Sequence, residues 1–427
     1  MMSSSAVTSA AAMTTDVINR ARRARVMGIG VNLRGGALAE VGPDERRVND
    51  PNWLNANSGL GGANMYVYIH RARARIALAR QALQLYAPDG PSTPKAWQGE
   101  LYALEGYTVL WFAENFCSGI PLTDTKLVGV SEPSAGLTTQ QMFQRAIALF
   151  DSAAVSGADS SRFVNLAKVG KGRALLDLGR FAAADSAVRG VPTDFVYVIN
   201  FAASGNYANA LAYDNPNYRV QDNEGGNGLV WSTDPRTAIT TASSSGAMLR
   251  WSKYNVTPSG TLDPTYSSPT TPVRLADGLE ARLIQSEAAL AAGDPSWLTI
   301  LNTLRHDCLG NAACAPVPGL TAANLPDTLT DPGSEVTREN LVFKERAMWL
   351  YATGHREGDL RRLAHVYSRN VNSLWPTGTI VAPAFPPLYD TPLPENGSQY
   401  GADVVFGPDL QEHVNNPLYA GCYDYNP

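Results

Sequence analysis

Aromatic rings set among amide, carboxylate and guanidinium groups carry the clearest chemical signal in this sequence. Tyr213, Asn215, Asn217, Tyr218 and Arg219 form the densest group, and Trp231, Trp251, Trp375 and Tyr400 lie in or beside other polar segments. A ring stacks on the apolar face of a sugar while Asn, Asp and Arg hydrogen-bond its hydroxyls, so this composition suits an oligosaccharide. The same rings could instead anchor the core of an irregular lobe. The Asp/Asn/Glu/Gly run at 222–228 offers oxygens to Ca2+. It lacks the full D-x-D-x-D-G-x5-E spacing, and a solvated turn is the simpler reading.

Bond-breaking chemistry is not signalled. The five histidines, His70, His306, His355, His365 and His413, form no H-E-x-x-H pair, and the chain has neither a G-x-S-x-G elbow nor a P-loop. Gly59-Leu60-Gly61-Gly62 fits a dinucleotide turn only superficially, since Asn64 stands at the third glycine position. No carboxylate pair is nominated for glycoside hydrolysis. The expectation is a binding protein with no catalytic residue, no structural metal, and no cofactor unless Ca2+ is held at 222–228.

The segments that must position these loops are mainly helical. Residues 5–25 and 58–87 are Ala/Arg-rich with few breakers. Residues 95–117 carry Trp97, Leu101, Leu104 and Trp111 on one stripe, with Ala103, Tyr107 and Leu110 alongside. That face is too wide for a surface helix, which predicts packing on two sides; Gly119 and Pro121 end it. Gly170, Ala174, Leu175, Leu178, Gly179, Phe181 and Ala184 follow the tetratricopeptide pattern, in which small residues let two helices cross closely. A second pair is predicted at 275–308, turning at Gly293-Asp294-Pro295, and a third at 94–155, interrupted after Pro121. Such units must stack to bury their faces. Residues 193–274 carry short β-like runs, Phe195 to Phe201 and Met248 to Tyr254, separated by long polar loops.

A chain of 427 residues with 44% hydrophobic and 17% charged residues can build a sizeable core. Its net charge of −5 argues against nucleic acid, whose partners carry a basic stripe. No apolar run reaches the roughly 20 residues a bilayer span needs. The start, Met1 to Thr15, is small and polar, with no basic region, no leucine-rich stretch and no cysteine to take a lipid. Four cysteines allow three complete pairings. Cys308 and Cys314 are close enough for a small ring, and Cys117 and Cys422 could staple the tail to the helices. Free buried thiols are the alternative; disulfides would suit an extracytoplasmic location.

Residues 345–362 hold the most specific motif. Phe343, Ala347, Leu350 and Tyr351 line one helix face, Gly354 suits a helix stop, and Asp359 lies three residues from both Arg356 and Arg362. The charged cluster reads as a ligand site or, the favoured reading, as an ion-pair network fixing a helical corner. The stretch resembles the C-terminal motif of the SusD/RagB family, E-R-x-x-E-L-x-x-E-G-x-R-x-x-D-L-x-R. Glu345, Arg346, Leu350, Gly354, Arg356, Asp359, Leu360 and Arg362 fall on it, while Trp349 and Thr353 stand where Glu is common. Asn115 to Leu122, Trp231 to Arg236, Tyr400 to Val404 and Asn416-Pro417 match further family points in order. The resemblance therefore runs from about residue 58 to 425.

That resemblance implies a mainly α, tetratricopeptide-like array of four helix pairs embracing an irregular lobe with short strands. The chain reads as one SusD-like domain, 1–427. Its parts are a helical array (1–192), a loop-rich ligand lobe (193–274), a helix pair (275–310), the motif helices (341–370) and an irregular tail (371–427). Family membership further implies a non-catalytic lipoprotein on the extracellular face of the outer membrane. It would capture an oligosaccharide or another oligomeric nutrient and hand it to a TonB-dependent, SusC-like transporter. Since family members begin with a signal peptide and a lipidated cysteine, the sequence is expected to start downstream of the natural N-terminus. The alternative is a tetratricopeptide-type surface scaffold that binds proteins or self-assembles.

Overall fold

The computed structural model describes residues 62–86, 96–203, 209, 224, 227–237, 239–241, 248–250, 268–309, 311, 314, 320, 325, 328–379, 399–409 and 411–425. The helix expected at 5–25 lies outside them. The first half is helical: α1 (Gly62–Tyr86), α2 (Ala96–Asn115), α3 (Thr139–Ser156), α4 (Ser161–Asp177) and α5 (Phe181–Val188). Helix α2 is the hub. Ala103, Leu104, Tyr107, Leu110, Trp111 and Phe112 are all buried, as a helix packed on more than one side requires.

Small residues set how closely these helices approach. A Cβ at Gly170 would lie 2.4 Å from the Phe150 ring and 2.9 Å from that of Tyr107, so only glycine lets α4 cross α2 and α3 here. The rings of Tyr107 and Phe150 meet edge-on at 5.1 Å, and the Tyr107 hydroxyl donates to the Leu166 carbonyl at 3.1 Å. Burying Phe150, 1% exposed, contributes about 2–3 kcal/mol. At its start α3 is fixed by a capping box, in which the Thr138 hydroxyl accepts from the Gln141 amide and the Gln141 side chain accepts from the Thr138 amide.

The two clearest helix pairs share one turn design. Gly179 (φ 68°) ends α4, its amide donating to Leu176, while the next amide, of Arg180, reaches Leu175. Gly293 (φ 69°) ends α6 (Gly278–Ala291) with the same two bonds, to Leu290 and Ala289, before α7 (Ser296–Cys308). Both stops satisfy orphan carbonyls through a left-handed residue.

Three short antiparallel pairs complete the described sheet: β1 (Ile120–Pro121) with β2 (Gly136–Leu137), β3 (Val196–Ile199) with β6 (Val273–Asp277), and β4 (Ile239–Thr241) with β5 (Met248–Arg250). Strand β6 runs directly into α6. Its last residue, Asp277, caps that helix by accepting from the Glu280 amide at 2.8 Å. Helices α8 (Glu335–Trp349), α9 (Arg356–His365) and α10 (Gln411–Asn415) follow.

The motif helix stops earlier than Gly354. Helix α8 ends at Trp349, and Ala352 (φ 57°) and Gly354 (φ 83°) both turn left-handed before α9 begins. Past the helix end, Leu350 enters the core shared with Leu283, Trp297 and Leu301, and Tyr351 enters that of Trp231, Leu360 and Trp375. Among the described residues no helix is long and apolar enough to cross a membrane.

Two disulfides join Cys117 to Cys422 and Cys308 to Cys314. The first closes a separation of 305 residues and pins the C-terminal segment beside the end of α2. There the Cys117 amide donates to the Phe406 carbonyl at 2.9 Å and the Tyr423 amide to Ser118 at 2.7 Å. Replacing Cys117 and Cys422 by alanine is expected to cost roughly 2–5 kcal/mol through restored chain entropy. Urea denaturation of the double variant, with limited proteolysis of the tail, checks this.

Candidate functional site

The motif residues form a buried lattice of ion pairs. Arg346 Nη2 donates to Asp359 Oδ1 at 2.8 Å and its Nε lies 3.4 Å from Glu287. Arg362 reaches three carboxylates: Glu287 at 2.7 Å, Asp177 at 2.6 Å and Asp359 at 2.8 Å. Glu345 accepts from Arg236 at 2.7 Å and from Arg305 at 2.6 Å, and Arg236 also holds Asp234 at 2.6 Å. Arg173 grips Glu280 at 2.6 and 2.9 Å, with His355 Nε2 3.1 Å from the same carboxylate. Asp359 makes the i, i+3 pair with Arg362, as its spacing suggests, but Arg346 takes the place expected of Arg356. Arg356 is drawn instead to Glu224, its Nε donating at 2.7 Å.

These contacts join α4, α6, α8, α9 and the 231–237 segment, so the motif is a framework. Glu345, Arg236 and Arg346 have no exposed surface, which leaves a ligand no access to them. The positions where the family has Glu are filled differently. Trp349 lies under the Arg236 guanidinium at 4.9 Å, and the Thr353 hydroxyl contacts His355 Nδ1 at 2.6 Å.

The lattice is pH-sensitive with a definite sign. Burial raises the Glu280 and Glu345 carboxyls, but Arg173 and His355 for the first, and Arg236 and Arg305 for the second, outweigh it and bring both to about 2. Asp359 is likewise held low, by Arg346 and Arg362 against burial. Depressed carboxylates stabilise the fold above their unfolded values and lose that contribution as pH falls, here between 4.5 and about 2. Burial, aided by Arg173, lowers His355 to about 4, so it too withdraws stability as pH falls from 6.5. Asp177 acts oppositely: burial, opposed by Arg362 and aided by Glu114, raises it to about 7. Its stabilising contribution is complete below pH 3.8 and is lost as pH rises through about 7. Wild type is therefore expected to lose several kcal/mol between pH 4.5 and 2, and its advantage over Asp177→Asn to shrink from pH 4 to 8. Thermal melts across that range check both limbs.

Beside this framework lies an open cleft of about 510 Å³, within the usual size for a small-molecule site. Helix α8, started by the Ser334–Thr337 capping box, brings Asn340, Phe343 and Lys344 to one wall at i, i+3 and i+4. Helix α9 adds Arg356 and Leu363, the 227–233 segment adds Asn227, Leu229 and Thr233, and Arg369, Ser373 and Leu374 close the far side. Each wall is tied down. Asn227 donates to Leu374 at 3.3 Å and accepts from the Leu229 amide at 2.9 Å, and Arg369 pairs with Glu339. Lys344 is exposed and makes no ion pair among the described residues. An apolar floor of Leu229, Phe343 and Leu374 under amides, hydroxyls and cations suits a ligand with one apolar face and several hydroxyls.

The rings expected to stack on ligand are distributed differently. Trp231 and Trp375 are 2% and 1% exposed, packed in one core with Tyr351 and Leu360, and offer no free face. They are anchors, since the loops carrying them fold back onto α8 and α9; Trp375 Nε1 donates to Glu357 at 3.4 Å. Tyr400 is half-buried, with its amide bonded to Gly378 at 2.9 Å. Tyr213, Asn215, Asn217, Tyr218, Arg219 and Trp251 lie outside the described residues. In the 222–228 run, Glu224 is fully buried and shared by Arg356 and Asn227, so its carboxylate is already committed. Asn340, Lys344 and Arg369 were not singled out from the sequence. The available signal was the polar Asn340–Lys344 step flanking Phe343.

Helix pairs stacked around a strand-poor lobe and locked by this Arg–carboxylate corner define the SusD-type fold. The SusD family pattern matches residues 196–402, which contain the motif and the cleft. Over those residues the chain is similar to the SusD family, and its fold is that of the solved SusD-like proteins. It is similar over its whole length to NanU of B. fragilis, at 12% identity and TM-score 0.63, with 97% of that chain covered. A SusD-like carbohydrate binding protein from Bacteroides vulgatus aligns with 94% of this chain and 91% of its own at 12% identity and TM-score 0.59. A laminarin binding SusD-like protein aligns with 87% of this chain and 95% of its own at 13% identity and TM-score 0.55. No curated protein sequence matches the chain.

Proposed function

We propose that this protein is a non-catalytic saccharide-binding protein of the extracellular face of the outer membrane. It captures an oligosaccharide and passes it to a TonB-dependent, SusC-like transporter. The observation that carries the reading is the cleft between the 227–233 segment and helices α8 and α9, with its apolar floor and polar rim. Support comes from the family and from solved neighbours named as carbohydrate and laminarin binding. Buried ion pairs hold the walls in place before ligand arrives, which lowers the ordering cost of binding. The helical array is the surface left for the transporter, and the chain's part in uptake is affinity rather than bond cleavage.

Titration calorimetry against laminarin fragments and a panel of other oligosaccharides tests this. Binding of at least one is expected, with no reducing ends released during incubation. Asn340→Ala or Lys344→Ala is expected to weaken it about tenfold, the loss of one good hydrogen bond to a ligand. Absence of binding across the panel, or release of products, would sink the reading.

A further inference from the structure

A second cleft, of about 490 Å³, opens on the other side of α9, between the end of α2, the first turn of α3, the end of α4 and the C-terminal tail. Two groups in its lining are unusual. Arg361 is 7% exposed; its Nη1 donates to the Ala113 carbonyl at 2.7 Å, but its Nε is buried without a partner. The Asp177 side chain is 5% exposed; Oδ1 accepts from Arg362, but Oδ2 is buried without a partner. Buried polar atoms are nearly always satisfied, and leaving one unpaired costs about 1–3 kcal/mol. One orphan donor and one orphan acceptor in the lining of one cleft mark a place built to receive a hydrogen-bonding molecule.

The charges narrow its class. Glu114, Asp177 and Asp424 line the cleft with Arg361 and Arg362, and Arg173 lies 3.8 Å from Glu114, so three carboxylates meet three guanidinium groups. Cations and anions are thus interleaved, with no excess of one sign to select a charged ligand. A saccharide hydroxyl is both donor and acceptor, the chemistry that each orphan lacks. Ser118, Thr139 and Gln140 add hydroxyl and amide groups at the mouth, and Phe143 supplies one apolar wall. The raised carboxyl of Asp177 lets it donate as well as accept near neutral pH. The geometry points to a second saccharide subsite here, for a single neutral sugar unit held by Arg361 and Asp177. The inference rests on the reading that the protein binds saccharides, and it places a site on the helical face, away from the lobe cleft.

The probes are the methyl glycosides of glucose, galactose and mannose, added singly at millimolar concentration to the full chain. Saturation-transfer NMR gives the affinity, and hydrogen exchange locates the site. At least one glycoside is expected to bind saturably and to protect the 113–118 and 358–365 segments. Arg361→Gln should weaken it tenfold or more, Gln140→Ala at the exposed mouth a few-fold, and Asn340→Ala in the lobe cleft not at all. Should Arg361→Gln not fold, Gln140→Ala and the exchange pattern carry the test. No binding by wild type, or binding that protects neither segment, overturns the subsite. If oligosaccharide binds and responds only to lobe-cleft variants, the subsite fails and the saccharide-binding function stands. If neither glycosides nor oligosaccharides bind, both fail.

Discussion

Arg362→Met is expected to destabilise the folded protein by about 3–5 kcal/mol, the usual cost of removing one partner from a buried ion pair. Methionine keeps the length of the stem, so little cavity forms; what is lost is charge. The guanidinium is the common counter-ion of Glu287, Asp177 and Asp359, whose side chains are at most 5% exposed. It also lies 5.1 Å over the Phe343 ring. Without it three carboxylates share the remaining charge of Arg346, and one or more must take up a proton. The loss should therefore be greatest at neutral pH and smaller near pH 4, where protonation relieves it. Urea denaturation at the two pH values measures this. Arg189→Met, which breaks an exposed pair with Asp185, is the control and should change stability by less than about 1 kcal/mol.

Gly278→Ala should be nearly as damaging, though it adds one methyl. Its Cβ would stand 1.9 Å from the Pro192 carbonyl oxygen and 2.6 Å from that of Thr193. Both are backbone atoms of a turn that cannot yield cheaply. The Gly278 amide donates to Phe195 at 2.8 Å, and the Phe195 amide donates to Pro192 at 3.1 Å. Relief requires moving the start of α6, and with it the Glu280–Arg173 pair. A cost of about 3 kcal/mol, the upper range for overpacking, is expected in denaturant titrations. Gly190→Ala separates crowding from backbone preference. That glycine has φ 78° and open space around it, and the change should cost only about 1–2 kcal/mol.

Local patterns made much of the array legible. The glycine stops at 179 and 293 and the small residues of α4 mark the positions of the helix pairs in the sequence itself. Pairings across long sequence separations were not legible. Asp359 has arginines at three-residue spacing on both sides, yet Arg356 is taken by Glu224, 132 residues away, and Arg346 from the preceding helix fills the place. Trp231 and Trp375 looked like ligand rings because their neighbours are polar. A tryptophan beside Asn and Gly is equally suited to anchoring a loop, and only the fold shows which. Asn340 and Lys344 gave no stronger signal than any solvated helix face. The cleft exists because the 227–233 segment lies against that face, a contact that no spacing rule encodes.

The central claim is that the motif builds the frame and the adjoining cleft binds the saccharide. The most direct test pairs affinity with stability in the double variant Asn340→Ala/Lys344→Ala, titrated with the best oligosaccharide found by calorimetry. The account predicts a loss of affinity of about a hundredfold, two hydrogen-bonding groups at roughly tenfold each, with the melting temperature unchanged. Undiminished affinity in a folded double variant would contradict it.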